Sequence, residues 1–190
     1  MKIKYSLGTI ELDTEVYVSD PCYRVCTWCQ ALVKGLKPGK YYGFMNKQNM
    51  KNMGWLGGIR VTDLWIVHED NVDTFPKTLV KGVEIGVDSG SAGIYDKEYY
   101  EKFHTLEDGK YIDDYPESSE WYDKQFDLRY YYDMNGNEIL SETDNRERRD
   151  AIALDNKCVI SFSGYGDGGY NLYSAKNTKG EIIGLRIKFI

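Results

Sequence analysis

The sequence has few of the residues on which many catalytic sites depend. Only two histidines, His68 and His104, occur in 190 residues. The G-x-S-x-G motif of many serine hydrolases is also missing, so classical catalytic sets are poorly represented. Cys22 with either histidine is a nucleophile–base pair that the composition still allows.

Long apolar runs are missing as well. No stretch approaches the roughly 20 apolar residues of a membrane span, and the start, MKIKYSLGTIELDTEVYVSD, lacks the apolar region of a signal peptide. Four cysteines outside a secretory context do not make a disulfide scaffold, so we expect reduced thiols. These absences predict a cytoplasmic protein that does not bind membranes.

Basic residues are fewer than acidic residues. The chain has 24 Lys and Arg against 30 Asp and Glu, which gives a net charge of −6 and a pI of about 5.0. Proteins that bind phosphate backbones generally carry a basic surface, so we expect no nucleic-acid partner. The densest basic run, residues 146–149, is interleaved with acid and is typical of a solvated helix face.

Tyrosine, in contrast, is abundant, with 17 residues against 6 Phe and 4 Trp. Tyrosine suits half-buried strand positions, where the ring packs and the hydroxyl stays in water. Alternating or β-branched segments recur between turn signals, as they do in sandwiches and barrels. The predicted strands cover residues 2–6, 15–19, 41–45, 59–68, 80–87, 128–133, 138–140, 159–162, 170–174 and 181–190.

Two segments predict helices. Residues 96–104 begin at Asp96, a favourable N-cap, and residues 141–154 open with S-x-x-D. Residues 45–55 and 107–124 predict loops, and residues 135–136 predict a hairpin turn. We therefore expect a single domain over residues 1–190 of α+β, β-rich class: an antiparallel sandwich or partly open barrel with two or three short helices.

The stretch VSDPCYRVCTWC contains three cysteines, Cys22, Cys26 and Cys29, at the spacing C-x3-C-x2-C. This is the spacing of the cluster loop in radical S-adenosylmethionine enzymes, and with Cys158 or a histidine the thiols could bind zinc. Those cluster enzymes use a parallel β/α barrel, for which too few helices are predicted. A buried structural thiol is equally natural at Cys22. We expect no cofactor, and we expect Trp28 and Cys29 to pack beneath the turn.

The stretch SGYGDGGYNLY contains a second near match. Gly164, Gly166 and Gly169 satisfy G-x-G-x-x-G, but a dinucleotide site needs a helix after the glycines. Residues 170–174 alternate like a strand instead. The pattern therefore predicts a glycine-rich turn between two strands.

Three aspartates follow apolar strands in loops of small residues. Asp20 lies in VSDP, Asp88 in GVDSGSAG and Asp167 in GYGDGG. Clustered carboxylates can bind a divalent cation or act as an acid–base pair, whereas the commoner use of Asp in a turn is to bond its own backbone. We expect no metal ion at the site, and if one binds, we expect these three aspartates to hold it.

The same stretches carry a family resemblance. VSDPCY with TWC, LKPGKYYGF, GVDSGSAGIYD, SGYGDGGYNLY and GEIIGLRIKFI follow one another as in a bacterial and phage family of uncharacterised proteins. The chain resembles, more distantly, domain-of-unknown-function family 4241. It differs in reading KPGKYYGF for PPGxYPV and Tyr165 where the distant relatives have Trp.

The resemblance implies shared turns but no reaction. In the close relatives the pattern includes Cys22 and Cys29 but not Cys26, which argues against an iron–sulfur cluster. The residues it implies for the shared turns are Asp20, Asp88, Gly90, Gly93, Asp96, Gly166, Asp167 and Gly168.

The sequence therefore predicts a binding protein for a protein partner or a small molecule. A phage accessory or defence-related role is what the resemblance implies. The expected ligand-binding residues are Asp20, Asp88, Ser89, Tyr165, Asp167 and Tyr170. The alternative is a hydrolase-like enzyme that uses Asp20, Asp88 and Asp167 with a divalent metal, or Cys22 as nucleophile. A binding protein should expose an apolar or aromatic patch, whereas an enzyme should bring the aspartates into one pocket.

Overall fold

The computed structural model describes residues 2–50, 58–74, 79–104 and 151–190. Eleven strands lie in this part of the chain: β1 Lys2–Leu12, β2 Glu15–Ser19, β3 Ala31–Lys34, β4 Gly39–Asn49, β5 Ile59–His68, β6 Val80–Val87, β7 Ser91–Asp96, β8 Ala151–Leu154, β9 Cys158–Phe162, β10 Gly168–Lys176 and β11 Ile182–Lys188. The helix α1 spans Lys97–His104, and a 3-10 turn spans Glu69–Asn71.

The strands form two sheets whose paired strands run antiparallel. The first sheet has the order β1-β4-β5-β11-β10-β6, and the second has the order β3-β2-β7-β9-β8. Hairpin neighbours such as β10 and β11 pair directly, from Asn171 opposite Lys188 to Ser174 opposite Leu185. The predicted β-rich sandwich is confirmed.

The core lies between the sheets because both contribute apolar side chains to one cluster. Ile66 and Leu185 come from the first sheet, and Val18 and Ile94 come from the second. The sheets approach closely at Gly43 of β4, where an added Cβ would lie 2.7 Å from Cγ1 of Val159 on β9. Glycine is needed there because no side chain fits between the two strands.

The helix α1 begins where the sequence predicts. Asp96 ends β7, and its carboxylate accepts a hydrogen bond from the backbone N–H of Tyr99 at 3.3 Å. This is an N-cap, which satisfies a donor that the first helical turn leaves unpaired. Tyr100 of the helix is fully buried beside Tyr95 and Tyr17.

Two predictions of local structure were wrong, and two short strands were missed. The C-terminal four residues of the helix expected over 141–154 form β8, which pairs with β9 from Ala151 opposite Ser161 onward. Residues 45–49, expected to be loop, continue β4 because β1 and β5 both pair with them. The short strands β3 and β7 were not anticipated.

The other local predictions fall partly or wholly outside the described residues. Outside the described residues lie the hairpin at 135–136, the two strands beside it, the loop at 107–124 and residues 141–150. In the described ranges, no helix is long and apolar enough to cross a membrane.

Candidate functional site

Asp20 ties together the turns that follow β2 and β6. It is 0% exposed. Its Oδ1 accepts hydrogen bonds from the Cys22 backbone N–H at 2.8 Å and the Ser89 hydroxyl at 2.7 Å. Its Oδ2 accepts from the backbone N–H groups of Asp88 at 2.8 Å and Ser89 at 2.7 Å. Four donors satisfy a buried carboxylate, so Asp20 has a clear structural role.

The segment from Asp20 to Gln30 forms a loop, which we call the cysteine loop, and buried side chains hold it from beneath. The Tyr100 hydroxyl lies 3.2 Å from the carbonyl oxygen of Asp20 and also bonds to that of Tyr23. The Gln30 amide donates to the Tyr100 hydroxyl at 2.9 Å and to Ser19 Oγ at 2.9 Å. Because these bonds bury helix and loop groups together, α1 fixes the shape of the cysteine loop.

The cysteine loop also joins the edges of the two sheets. It leads into β3, the edge strand of the second sheet, and it lies against β6, the edge strand of the first. The backbone N–H of Gly86 in β6 donates to the carbonyl of Cys29 at 2.9 Å. A Cβ on Gly86 would lie 2.9 Å from Cβ of Cys29 and 3.0 Å from its sulfur, so glycine allows this contact.

A cleft of about 780 Å³ lies between the cysteine loop and the ends of β6 and β10. Arg24, Trp28 and the three cysteines line the loop side, and Glu84, Asp88 and Gly169 are among the residues that line the sheet side. The volume lies within the range of ordinary ligand pockets, about 300–1,000 Å³. The cleft therefore offers an aromatic ring, one basic group and two carboxylates to a ligand.

Trp28 corrects a sequence-based expectation. We expected Trp28 and Cys29 to pack beneath the turn, and Cys29 is buried, but Trp28 is 93% exposed. Cys29 faces inward because it packs with Cys22 and Tyr23. Its neighbour in the chain then points outward, and this leaves the largest side chain of the loop in solvent.

The three cysteines of the loop have different surroundings. Cys22 and Cys29 are buried, whereas Cys26 is exposed and has a φ of 69°. Burial, followed by the nearby Asp20 carboxylate, raises the pKa of the Cys22 thiol far above its ordinary value. Cys22 is therefore a neutral thiol at physiological pH, which is a poor state for a nucleophile.

The glycine-rich turn between β9 and β10 lies beside the turn of Asp88. Ser163 N–H donates to the carbonyl of Gly90 at 3.0 Å, and the Tyr170 hydroxyl donates to the carbonyl of Gly166 at 2.7 Å. Gly166 has a φ of 102°, which only glycine adopts easily. A strand follows the glycines, as expected, and a helix does not.

The predicted ligand-binding residues lie in these two neighbouring turns, with different exposure. Asp88 is exposed and lines the cleft, and Tyr165 and Asp167 are exposed on the glycine-rich turn. Ser89 is committed to Asp20 through its hydroxyl. Tyr170 is mostly buried and packs edge-on against Phe189. The turns meet, and of these residues Asp88 lines the cleft.

The geometry gives little support to the metal and hydrolase hypotheses. In residues 2–50, 58–74, 79–104 and 151–190, no three His, Cys, Asp or Glu side chains are arranged to hold a metal ion. The Asp20 carboxylate already has four protein donors. A hydrolytic role for Asp20, Cys22, Asp88 and Asp167 stays a prediction without a geometric argument in its favour.

His68 has a structural environment. It is buried, its Nδ1 accepts from the Asp70 backbone N–H at 3.3 Å, and its ring meets the Tyr41 ring edge-on. The side chain of His104 lies outside the described part of the chain.

Sequence reasoning missed Trp28, Glu84 and Gly86 as site residues. Trp28 lies in the TWC motif, but a tryptophan between cysteines gives no sign of whether it faces the core. Gly86 interrupts the otherwise apolar end of VKGVEIGV, and a glycine inside a strand often indicates a close approach of another segment. That signal could have located the contact with the cysteine loop.

Comparison with known proteins identifies a family. Residues 82–187 match the model of a protein of unknown function (DUF4241). The match begins in β6 and runs through β11, so it includes the turns of Asp88 and Asp167 and one wall of the cleft. No curated protein and no solved structure matches the chain. Because the matched segment is more than half of the chain, the protein belongs to the DUF4241 family.

Proposed function

We propose that this protein acts by binding a partner protein through the side of the sandwich where β3 and β6 lie. This surface, the β3–β6 side, is defined by Trp28, Leu32, Val80 and Val83. The observation that carries the proposal is the exposure of Trp28, 93%, on a loop that buried hydrogen bonds hold in place.

Exposed apolar side chains on the two edge strands support the proposal, since Leu32 lies on β3 and Val80 and Val83 lie on β6. Val80 is 67% exposed, Val83 55% and Leu32 39%. Only two other large apolar side chains in the described ranges, Ile59 and Tyr165, are comparably exposed. Exposed apolar side chains are common at interaction sites, and tryptophan is among the residues that most often dominate binding energy.

The rigidity of the cysteine loop also favours binding. Asp20, Gln30 and Tyr100 fix its backbone with buried hydrogen bonds. A loop ordered before binding loses little conformational entropy when a partner arrives. The cleft beside Trp28 can then accept a side chain of the partner.

A catalytic role receives less support from the same residues. The buried Asp20 carboxylate is occupied by protein donors, and burial keeps Cys22 protonated. We propose a non-catalytic function in the cytoplasm, in the phage accessory or defence-related setting that the resemblance implies.

The test is selection from a displayed library of random linear peptides on the immobilised wild-type chain. Selected peptides should bind Trp28→Ala at least about 30-fold more weakly, as expected for loss of a central anchor residue. Ile59→Ala is the matched control because Ile59 is 60% exposed but lies on β5, and its affinity should change less than about twofold.

Two outcomes would contradict the proposal. One is a library that yields no specific binder, and the other is a set of selected peptides that bind Trp28→Ala as tightly as the wild type. Binding of small molecules in the cleft without any peptide binding would favour a small-ligand function instead.

A further inference from the structure

We infer that the partner binds as an extended segment that adds a strand to the outer edge of β6. This inference rests on the proposed function and specifies its mode. Strand addition needs an edge whose backbone groups point into solvent. β6 is the terminal strand of the six-stranded sheet, paired on one side with β10.

The direction of the backbone groups follows from the pairing register. Gly86 lies opposite Gly169, and its N–H points away from β10 to the carbonyl of Cys29. In an antiparallel pair the bonded and non-bonded positions alternate. Glu84, two residues before Gly86 and opposite Asn171, therefore also directs its N–H and C=O outward.

The edge next to Glu84 is open in the described structure. Residues 80–84 are all exposed, and no backbone bond from the described residues reaches the outward groups of Glu84. Soluble proteins usually protect such an edge with proline, a bulge or several charges. This strand, VKGVEIGV, has no proline, but it carries Lys81 and Glu84, and its pairing with β10 is irregular between these two residues. The edge from Glu84 to Val87 keeps a regular register, and Val80 and Val83 beyond the irregularity are exposed.

The end of the edge already shows main-chain pairing. The Cys29 carbonyl accepts from Gly86 as a neighbouring strand would, so the cysteine loop closes the edge at that end. An added segment would run along residues 80–84 and reach the cleft at Trp28. One of its side chains would contact the Trp28 ring.

The charges of the cleft indicate the chemistry of the segment. Glu84 and Asp88 line the sheet wall against the single basic residue Arg24, and the whole chain carries a net charge of −6. Opposite charges on facing strands stabilise a strand pair. The segment that fits has a basic side chain opposite Glu84 and an apolar side chain against Trp28.

Backbone methylation of the selected peptides tests whether they bind by adding a strand to β6. Each peptide is made again with a single N-methyl group at each successive amide, and its affinity for the wild type is measured. Strand addition predicts that methylation weakens binding about tenfold or more at alternate positions and little between them, because alternate N–H groups face β6.

The outcomes separate this inference from the proposed function. Peptides that depend on Trp28 but show no alternation would overturn strand addition and leave the proposed function intact. A library without Trp28-dependent peptides would overturn both.

A pair of variants at one position provides a second readout. Glu84→Ala removes the carboxylate and keeps the N–H, so it should weaken a basic peptide severalfold, more at low salt than at high salt. Glu84→Pro also removes the outward N–H, at an edge position that tolerates proline, and should weaken binding by a further factor of about ten. Thermal unfolding checks that both variants fold, and equal affinities of the two would contradict the inference.

Discussion

Asp20 is the residue on which the local architecture of the site depends. An aspartate after a strand suggests either a turn cap or a catalytic carboxylate, and in this chain the carboxylate bonds three backbone N–H groups and one hydroxyl. Three of these four donors come from the turn after β6. The side chain therefore holds two distant segments of the chain together.

Replacing Asp20 with asparagine should destabilise the protein strongly. The amide offers one acceptor atom in place of two, so buried donors lose their partners, and we expect a loss of about 3 kcal/mol or more in the free energy of unfolding. Urea unfolding measures the change.

The control for that variant is Asp167→Asn. Asp167 is exposed in the neighbouring turn, and its replacement should alter stability by no more than about 0.5 kcal/mol. Equal stability of the two variants would show that the bonds of Asp20 contribute nothing.

For these individual residues, the sequence predicts the turn that contains Asp20 but not the burial of each side chain. That Asp20 bonds local backbone follows from general turn chemistry. The outward position of Trp28 depends on Cys29 packing with Cys22 and Tyr23 and against Gly86 of β6, which is far from the loop along the chain.

Among the elements, β6 connects the core to the proposed binding surface. Ile85 and Val87 pack in the core, Gly86 contacts the cysteine loop and residues 80–84 reach solvent. One strand thus combines a buried end with an exposed end.

The two glycines of β6 should respond differently to alanine. Gly86→Ala brings a Cβ to 2.9 Å from Cys29 Cβ, so the cysteine loop must move, and we expect a loss of about 1–3 kcal/mol. Gly82→Ala meets only the Leu172 carbonyl oxygen at 3.4 Å and should be neutral or slightly stabilising, since alanine restricts the unfolded chain.

Chemical unfolding of the two glycine variants provides the measurement. Peptide binding should weaken in Gly86→Ala because the loop that carries Trp28 shifts. If Gly86→Ala proves as stable as Gly82→Ala, the close contact between β6 and the loop does not exist in solution.

Strands with long alternating patterns are predictable from the sequence, and short ones are less so. The alternation in residues 59–68 and 80–87 predicts β5 and β6 at their observed bounds. β8 has only four residues, Ala-Ile-Ala-Leu, which suit a helix equally well. Pairing with β9 decides the outcome, and pairing partners are not visible in a local pattern.

For the whole molecule, buried hydroxyl and thiol groups predict the response to alkaline pH. Burial raises the pKa values of Cys22, Tyr23, Tyr41, Tyr95 and Tyr100. Each group holds its proton more tightly in the folded state than in the unfolded state. The unfolded chain therefore loses protons first, above about pH 8.5 for the thiol and about pH 10 for the phenols, and stability falls as pH rises.

Cys22→Ser should reduce the part of this fall that the thiol causes. Between pH 8.5 and pH 10, roughly the range where only thiols titrate, the variant should lose less stability than the wild type. Cys26→Ser, at an exposed position, is the control for the replacement of sulfur by oxygen. Urea unfolding across this pH range measures how the free energy of unfolding changes with pH. If Cys22→Ser and the wild type show the same change, the thiol of Cys22 is not buried as described.

The sandwich class follows from composition and strand spacing, whereas the site depends on tertiary structure. The sequence contains Asp20, Asp88 and Asp167 in turns, and the turns do meet. The cleft, however, arises because the cysteine loop crosses from β2 to β3 beside β6, a relation between two sheet edges that no spacing of residues encodes.

Amide hydrogen exchange of the free protein tests, without any ligand, whether the edge of β6 is open for binding. We expect the amide of Glu84 to exchange rapidly, because it lies at an open strand edge. The amide of Gly86, bonded to Cys29, should exchange slowly. Strong protection of Glu84 in the free protein would show that the edge is already covered and would contradict a binding surface along β6.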